Sequence, residues 1–187
     1  WRINGASNLD ALIEREEQKP NYRERDKTWE DRFRLGYVSR GLPNTTLRLS
    51  YEYARKRGDT YVPDPYEEFY SVEMGPLPTA TGTNVASWIH TIDQFRKYDM
   101  ADRDQNTVNA RLNYIFSEQL DGGLSLQYKG AKYPDSEYGR TGNLKQWAAN
   151  FDLNWQPTAD LAVYGFYSYQ SNKMEQIGIQ ANACTIG

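Results

Sequence analysis

Apolar and polar residues alternate with a period of two in six separate runs between Thr28 and Gln170. This pattern predicts strands that present one greasy and one wet face. In Thr28 to Ser39, Trp29, Phe33, Leu35 and Tyr37 share a face opposite Arg32 and Arg34; Asp31 interrupts the apolar side, so the embedded part is expected to start near Phe33. In Thr45 to Tyr53, Leu47, Leu49, Tyr51 and Tyr53 oppose Arg48, Ser50 and Glu52. From Thr107, Val108, Ala110, Leu112 and Tyr114 oppose Asn109, Arg111 and Asn113, and Leu124, Leu126 and Tyr128 then oppose Ser125, Gln127 and Lys129. The clearest run is Trp147 to Trp155: Trp147, Ala149, Phe151, Leu153 and Trp155 against Ala148, Asn150, Asp152 and Asn154. Leu161 to Gln170 carries aromatics on both faces, and a weaker alternation fades through Ile177 and Ile179.

The six strands read as three hairpins. Joints at 40–44, 117–122 and 156–160 are short, whereas 55–106 and 131–145 are longer. Gly41-Leu42-Pro43-Asn44 carries turn chemistry. Residues 55–95 lose the period, hold Pro63, Pro65, Pro76 and Pro78, and read as one long loop with a helical turn in Ser87 to Phe95. Ahead of the strands, Asn8 to Gln18 has helical spacing: Asn8 caps it, Leu9, Leu12 and Ile13 form a narrow apolar side, and Pro20 ends it.

Alternation alone also fits a soluble sandwich, in which one face is buried. Two features favour a transmembrane β-barrel segment. Trp147 and Trp155 lie at the two ends of one apolar face; eight residues at ~3.4 Å span roughly 27 Å along a strand, or roughly 21 Å along a membrane normal at a ~40° tilt, near the ~25 Å apolar band of such barrels. Short turns also alternate with long loops, as periplasmic turns and external loops do. The predicted class is therefore all-β, an antiparallel up-and-down barrel segment forming a single domain over residues 1–187, with 55–95 extracellular. Six strands cannot close a membrane barrel, and open edges in lipid would leave backbone groups unpaired, so more strands are expected outside this stretch. Trp147, Trp155, Tyr114, Tyr128 and Tyr169 are the candidate aromatic girdle; Arg48, Arg111, Asn113, Lys129, Asn150, Asp152 and Asn154 are the candidate lumen-facing set.

Composition fits this picture. Of 187 residues 39% are hydrophobic, and no run approaches the ~18 apolar residues of a membrane helix. Tyr and Trp, 15 and 5 against 6 Phe, are the aromatics suited to a half-wet interface. The net charge of −3, without a basic patch and recognition motif, gives no support for nucleic-acid binding. The chain starts at Trp1 without a basic n-region and apolar run, so either a leader has been removed or this is a piece of a longer protein. Cys184 is a free thiol, pairs outside this stretch, or pairs between chains.

Catalytic chemistry is sparse. With one histidine, His90, and one cysteine, the chain has no HExxH and no Cys-x-x-Cys-His for covalent haem, and no nucleophile–base pair stands out. Asp102-x-Asp104-x-Asn106 opens like a calcium loop but lacks its glycine and closing Glu, and reads as a hydrated strand entry. Asp64 to Glu68 reads as a solvated acidic stretch. Neither an enzyme nor a resident cofactor is expected.

Whole segments resemble one family. FRKYDMADRDQNTVNARLNY, LSLQYKGAKYPDSEYGRT and FDLNWQPTADLAVYGFYSYQ, together with TYVPDPYEEFYS and TLRLSYEYARKRGDTY, look like the MtrB/PioB-type decahaem-associated outer-membrane proteins. The resemblance covers most of the chain and is strongest from Tyr98 to Gln170. It implies a large many-stranded barrel in the bacterial outer membrane, far longer than this chain. Such a barrel sheathes a periplasmic multihaem cytochrome in its lumen, and some members also dock an outer-surface multihaem cytochrome, so that electrons cross the membrane through haems carried by the partner. Two other readings stay open: a general or ligand-gated porin or transporter without a cytochrome, and a soluble β-sandwich binding module.

Overall fold

A strand whose every second side chain is apolar gains most when its neighbours repeat the pattern in register, so that one face of the whole sheet becomes apolar. The computed structural model, which describes residues 2–21, 23–62 and 95–178, shows this arrangement. One sheet contains β1 (Arg2–Asn4), β2 (Ser7–Gln18), β3 (Thr28–Ser39), β4 (Thr45–Gly58), β5 (Phe95–Arg96), β6 (Arg103–Ser117), β7 (Leu120–Lys132), β8 (Tyr138–Thr158) and β9 (Leu161–Ile177). The long strands β2, β3, β4, β6, β7, β8 and β9 pair antiparallel in that order, and only the two-residue β5 lies parallel, beside the start of β8. This is an up-and-down segment; among the described residues the sheet does not close, and β9 has no partner on its far side.

The register carries apolar rows from strand to strand. Leu47 pairs with Leu112, Leu112 with Leu124, Leu124 with Phe151 and Phe151 with Tyr167. The next row runs Leu9, Tyr37, Leu49, Ala110, Leu126, Ala149 and Tyr169. Nothing among the described residues covers this face: Leu126 and Phe151 are each 45% exposed. A sandwich would have buried them beneath a second layer. The buried apolar cluster is small and off to one end, with Ala101, Ala131 and Tyr133 packed against Leu144.

Several expectations change, among them the 55–106 joint, which contracts to 59–102 because β6 begins at Arg103. Asn8 to Gln18 is not a helix; it lies within β2, so the long strands number seven. Leu12 produced the helical spacing by interrupting the alternation, yet it stands across from Arg34 on the polar face, while Leu9, Ala11 and Ile13 continue the apolar rows opposite Tyr37, Leu35 and Phe33. Arg32 binds Glu16 at 3.1 Å and Glu14 at 3.7 Å across the β2–β3 pair, contacts that override the local helix propensity of a Glu-rich stretch. Strand β4 runs on to Gly58, past the point where hydrophobic alternation stops, because Arg57 binds Asp104 at 2.6 Å across the ladder. The joint expected at 131–145 contracts to 133–137 because β8 begins at Tyr138. Finally, β9 runs beyond Gln170 to Ile177. The helical turn expected at Ser87 to Phe95, the loop prolines, Asp64 to Glu68, His90, Ile179 and Cys184 lie wholly or mainly outside the described residues.

Short turns (40–44, 118–119 and 159–160) fall at one end of the sheet and the longer connections (19–27, 59–102 and 133–137) at the other. In the first, Asn44 takes a positive φ of 55°, a conformation that asparagine tolerates better than most side chains, and its carbonyl accepts the Ile115 amide at 2.9 Å.

If the apolar face meets lipid, a cation at its centre is costly and one on the reverse face is not. In full-length protein folded into vesicles, Leu126→Arg is expected to cost about 2–4 kcal/mol, and Gln127→Arg, one residue away, less than ~1 kcal/mol, by urea titration. Equal costs would mean that the two faces meet the same medium.

Candidate functional site

Strand parity gathers the charged side chains on the face opposite the apolar rows. Arg48 and Arg111 face each other across β4 and β6. The same row continues to Ser125, Asn150 and Ser168. Asn113, Gly123 and Asp152 form the next row, and Lys129 stands between Thr107 and Gln146. Asn154 donates to Asp121 at 3.2 Å. The seven residues expected to line a lumen thus share one face.

Arg111 and Asp152 are drawn together across an intervening strand. The Arg111 guanidinium makes two bonds to the Asp152 carboxylate, Nη1 to Oδ1 at 2.6 Å and Nη2 to Oδ2 at 3.0 Å, while its Nε donates to Asn113 at 2.8 Å. The fork lies directly over Gly123 of β7, where a Cβ would collide with both partners. Glycine is needed here for close approach, which the alternation did not reveal. Arg34 similarly holds Glu52, with Nη2 at 2.6 Å and Nε at 3.0 Å. In contrast, Arg48 and Lys129 have no ion-pair partner among the described residues.

On the apolar face the five candidate girdle aromatics occupy four rows. Tyr128 and Trp147 are direct cross-strand partners with ring centroids 4.4 Å apart, near the long-connection end. Tyr51 lies two strands along in their row, which the sequence reading did not include. Tyr169 sits one row inward, opposite Ala149. Tyr114 and Trp155 lie near the short turns, Tyr114 edge-on to Phe116 at 4.8 Å.

The long-connection end holds a charge network that sequence patterning did not single out, because its members are far apart in the chain. Glu24 is fully buried and accepts hydrogen bonds from Lys97 Nζ and from Arg23 Nε at 3.3 Å. Arg23 reaches on to Asp99 at 2.6 Å. Arg25 donates to the Met100 carbonyl at 2.8 Å, Asp102 at 2.6 Å and Asp135 at 3.2 Å. Three connections are thereby tied together. The carboxylates of the calcium-like stretch are engaged by arginines, Asp102 by Arg25 and Asp104 by Arg57, and no metal-binding group is found among the described residues.

Burial alone would raise the Glu24 carboxyl, but the hydrogen bond and charge of Lys97, a backbone hydrogen bond and Arg23 outweigh it and hold Glu24 below its ordinary value. For Lys97 the Glu24 hydrogen bond is the largest influence and pushes it up. A carboxyl lowered on folding contributes stability above its unfolded value, and that contribution is lost as pH falls through the folded value. Amides of residues 97–102 are therefore expected to lose hydrogen-exchange protection only as pH falls below the ordinary carboxyl range. Strand amides should stay protected, and Glu24→Gln should give a connection that is already loosened at neutral pH.

The Arg111–Asp152 fork makes a second prediction. Gly123→Val should part it and cost about 1–2 kcal/mol in urea titration, and Arg111→Leu a similar amount. The two changes combined should cost less than their sum, because both remove the same contact.

Residues 1–184 match the family described as "Putative outer membrane beta-barrel porin, MtrB/PioB". Over 178 residues the chain is 24% identical to the outer membrane protein MtrB of Shewanella baltica (strain OS185), an alignment that covers 95% of this chain and 23% of that relative. The chain thus spans about a quarter of the length of the curated relative it matches. The family match over nearly the whole chain, the open antiparallel sheet and its uncovered apolar face agree: this chain belongs to the MtrB/PioB family of outer-membrane β-barrel porins.

Proposed function

We propose that this chain forms part of a non-catalytic outer-membrane sheath whose polar face holds a periplasmic multihaem c-type cytochrome, so that electrons cross the outer membrane. The observation that carries this reading is the polar face itself. It is wide, mixed in charge and cross-braced by Arg111–Asp152 and Arg34–Glu52, yet it leaves Arg48 and Lys129 without carboxylate partners among the described residues. Cations fixed on a braced wall are suited to hold the acidic surface of an inserted protein.

Haem would be the partner's group, supplying the electron-carrying sites, because this chain's one cysteine and one histidine cannot make a Cys-x-x-Cys-His attachment. The chain's own part is structural. Its ladder pairs the backbone through the ~30 Å hydrocarbon layer, and Arg48, Arg111, Asn113, Lys129, Asn150, Asp152 and Asn154 would meet the inserted protein. The long connections would face the exterior, where an outer-surface cytochrome could also dock.

Full-length protein purified in mild detergent should carry the absorbance of a tightly held c-type cytochrome. At about 1 kcal/mol per exposed pair, Arg48→Glu with Lys129→Glu should weaken that hold roughly thirtyfold, read as salt-dependent loss of haem absorbance from the barrel fraction. Haem-free preparations that conduct ions across a planar bilayer would instead establish a passive pore.

A further inference from the structure

Just beyond the Tyr128–Trp147 row, toward the long connections, the apolar face turns basic. Lys145 and Lys173 are direct cross-strand partners on β8 and β9. Lys145 also faces Gly130 of β7, and Lys132 stands two residues farther along β7 on that same face. All three lysines are exposed, and none has an ion-pair or hydrogen-bond partner among the described residues. Like charges directly opposite each other destabilise a sheet, so an unrelieved Lys145–Lys173 pair is a feature that an anion would repair.

The acids of these elements are otherwise placed. Asp135 is held by Arg25; Asp104, the direct cross-strand partner of Lys132, is held by Arg57 at 2.6 Å; Glu175, two residues past Lys173 on the same face, accepts the Asn143 amide at 3.1 Å; Glu137 stands exposed in the connection without an ion pair among the described residues. A neutral donor joins the lysines. The Tyr128 hydroxyl lies over Gly130, where a Cβ would come within 2.7 Å of its oxygen. It is thus on the strand position that pairs with Lys145. The bare glycine makes room for the Tyr128 hydroxyl itself, which is thereby held beside Lys145.

Depth fixes the kind of anion. Lys145 and Lys173 lie two residues above Trp147 and Ser171, about 7 Å along the strand. If the Tyr128–Trp147 row marks the edge of the hydrocarbon layer, lysines there extend their ammonium groups into the headgroup layer. Long connections mark the outward end of such barrels, so that layer is the outer leaflet.

We propose that Lys132, Lys145 and Lys173, with the Tyr128 hydroxyl, form a lipid-facing site for a phosphate of an outer-leaflet glycolipid of the lipid A class. The proposal does not depend on the cytochrome; it rests on membership of the outer-membrane family and on the long connections facing outward.

The test uses full-length protein, delipidated in detergent and titrated with bisphosphorylated lipid A, its dephosphorylated form or phosphatidylglycerol, with bound lipid counted by native mass spectrometry. Lipid A should bind and raise the melting temperature, and the other two lipids should bind much more weakly. At about 1 kcal/mol per lysine near a charged surface, Lys145→Gln with Lys173→Gln should weaken lipid A binding roughly tenfold to thirtyfold. That variant, free of lipid, should melt no lower than the parent, because the like-charge pair is gone. Lys19→Gln, in the 19–27 connection, should leave binding unchanged. Tyr128→Phe should weaken it severalfold, which keeps the test open should the double variant fail to assemble. Equal binding of lipid A and its dephosphorylated form, tighter binding of phosphatidylglycerol, or full binding by the lysine variant would each overturn the proposal.

Discussion

A β-ladder has a strict period of two, and each pairing passes the parity of one strand to the next. Seven long strands here obey one register, so the face of Leu9 is also the face of Leu126 and Tyr169. A slip of one residue in any strand would move its apolar side chains among the arginines and its charges among the leucines. That cost falls on every residue of the slipped strand at once. It therefore fixes the register more firmly than any single contact, and both faces inherit their character from it.

Parity also explains why the charged face is ordered. Charges on one side of a sheet are held at spacings set by the ladder, so carboxylates and guanidiniums on neighbouring strands meet without freezing long loops. Arg34 meets Glu52 on the adjacent strand, whereas Arg111 must cross β7 to meet Asp152 and can do so only over Gly123. The long-connection end is organised differently. There the ladder has stopped supplying partners, and buried ions take its place: Glu24 and Arg25 cross-tie three connections. A buried ion pair adds little net stability, but removing one of its partners leaves the other charge buried and uncompensated, which is costly.

The alternation was legible wherever one face met an apolar medium. Trp147 to Trp155 could be read directly, and so could the turn at Asn44. Where both faces are polar the signal vanishes although the strand continues: Arg55, Lys56 and Arg57 extend β4, held by cross-strand partners such as Asp104 that no local pattern displays. Strand β2 was hidden for another reason. Leu12 on the polar face converts a two-residue period into helical spacing, and only the pairing with β3 restores the strand. Of the candidate site, residue type and parity placed all seven polar positions on one face. The Gly123 cradle and the Glu24 network depend on through-space neighbours and were beyond a linear reading.

The two faces impose different demands on the same residue type. On the polar face Lys129 stands between Thr107 and Gln146, with no ion-pair partner among the described residues. On the apolar face Lys145 and Lys173 lie opposite each other just past the Tyr128–Trp147 row, and a cation at the rim of a lipid-facing belt would have only headgroups and water to satisfy it. Lysine on the lipid side is tolerable at the rim and costly at the centre. The apolar rows between the Trp147 and Trp155 levels accordingly carry no lysine on β8 or β9; the first lysines appear as soon as the aromatic row is passed. A hydrocarbon layer outside the sheet would impose this level, whereas their pairing across β8 and β9 comes from the ladder within it.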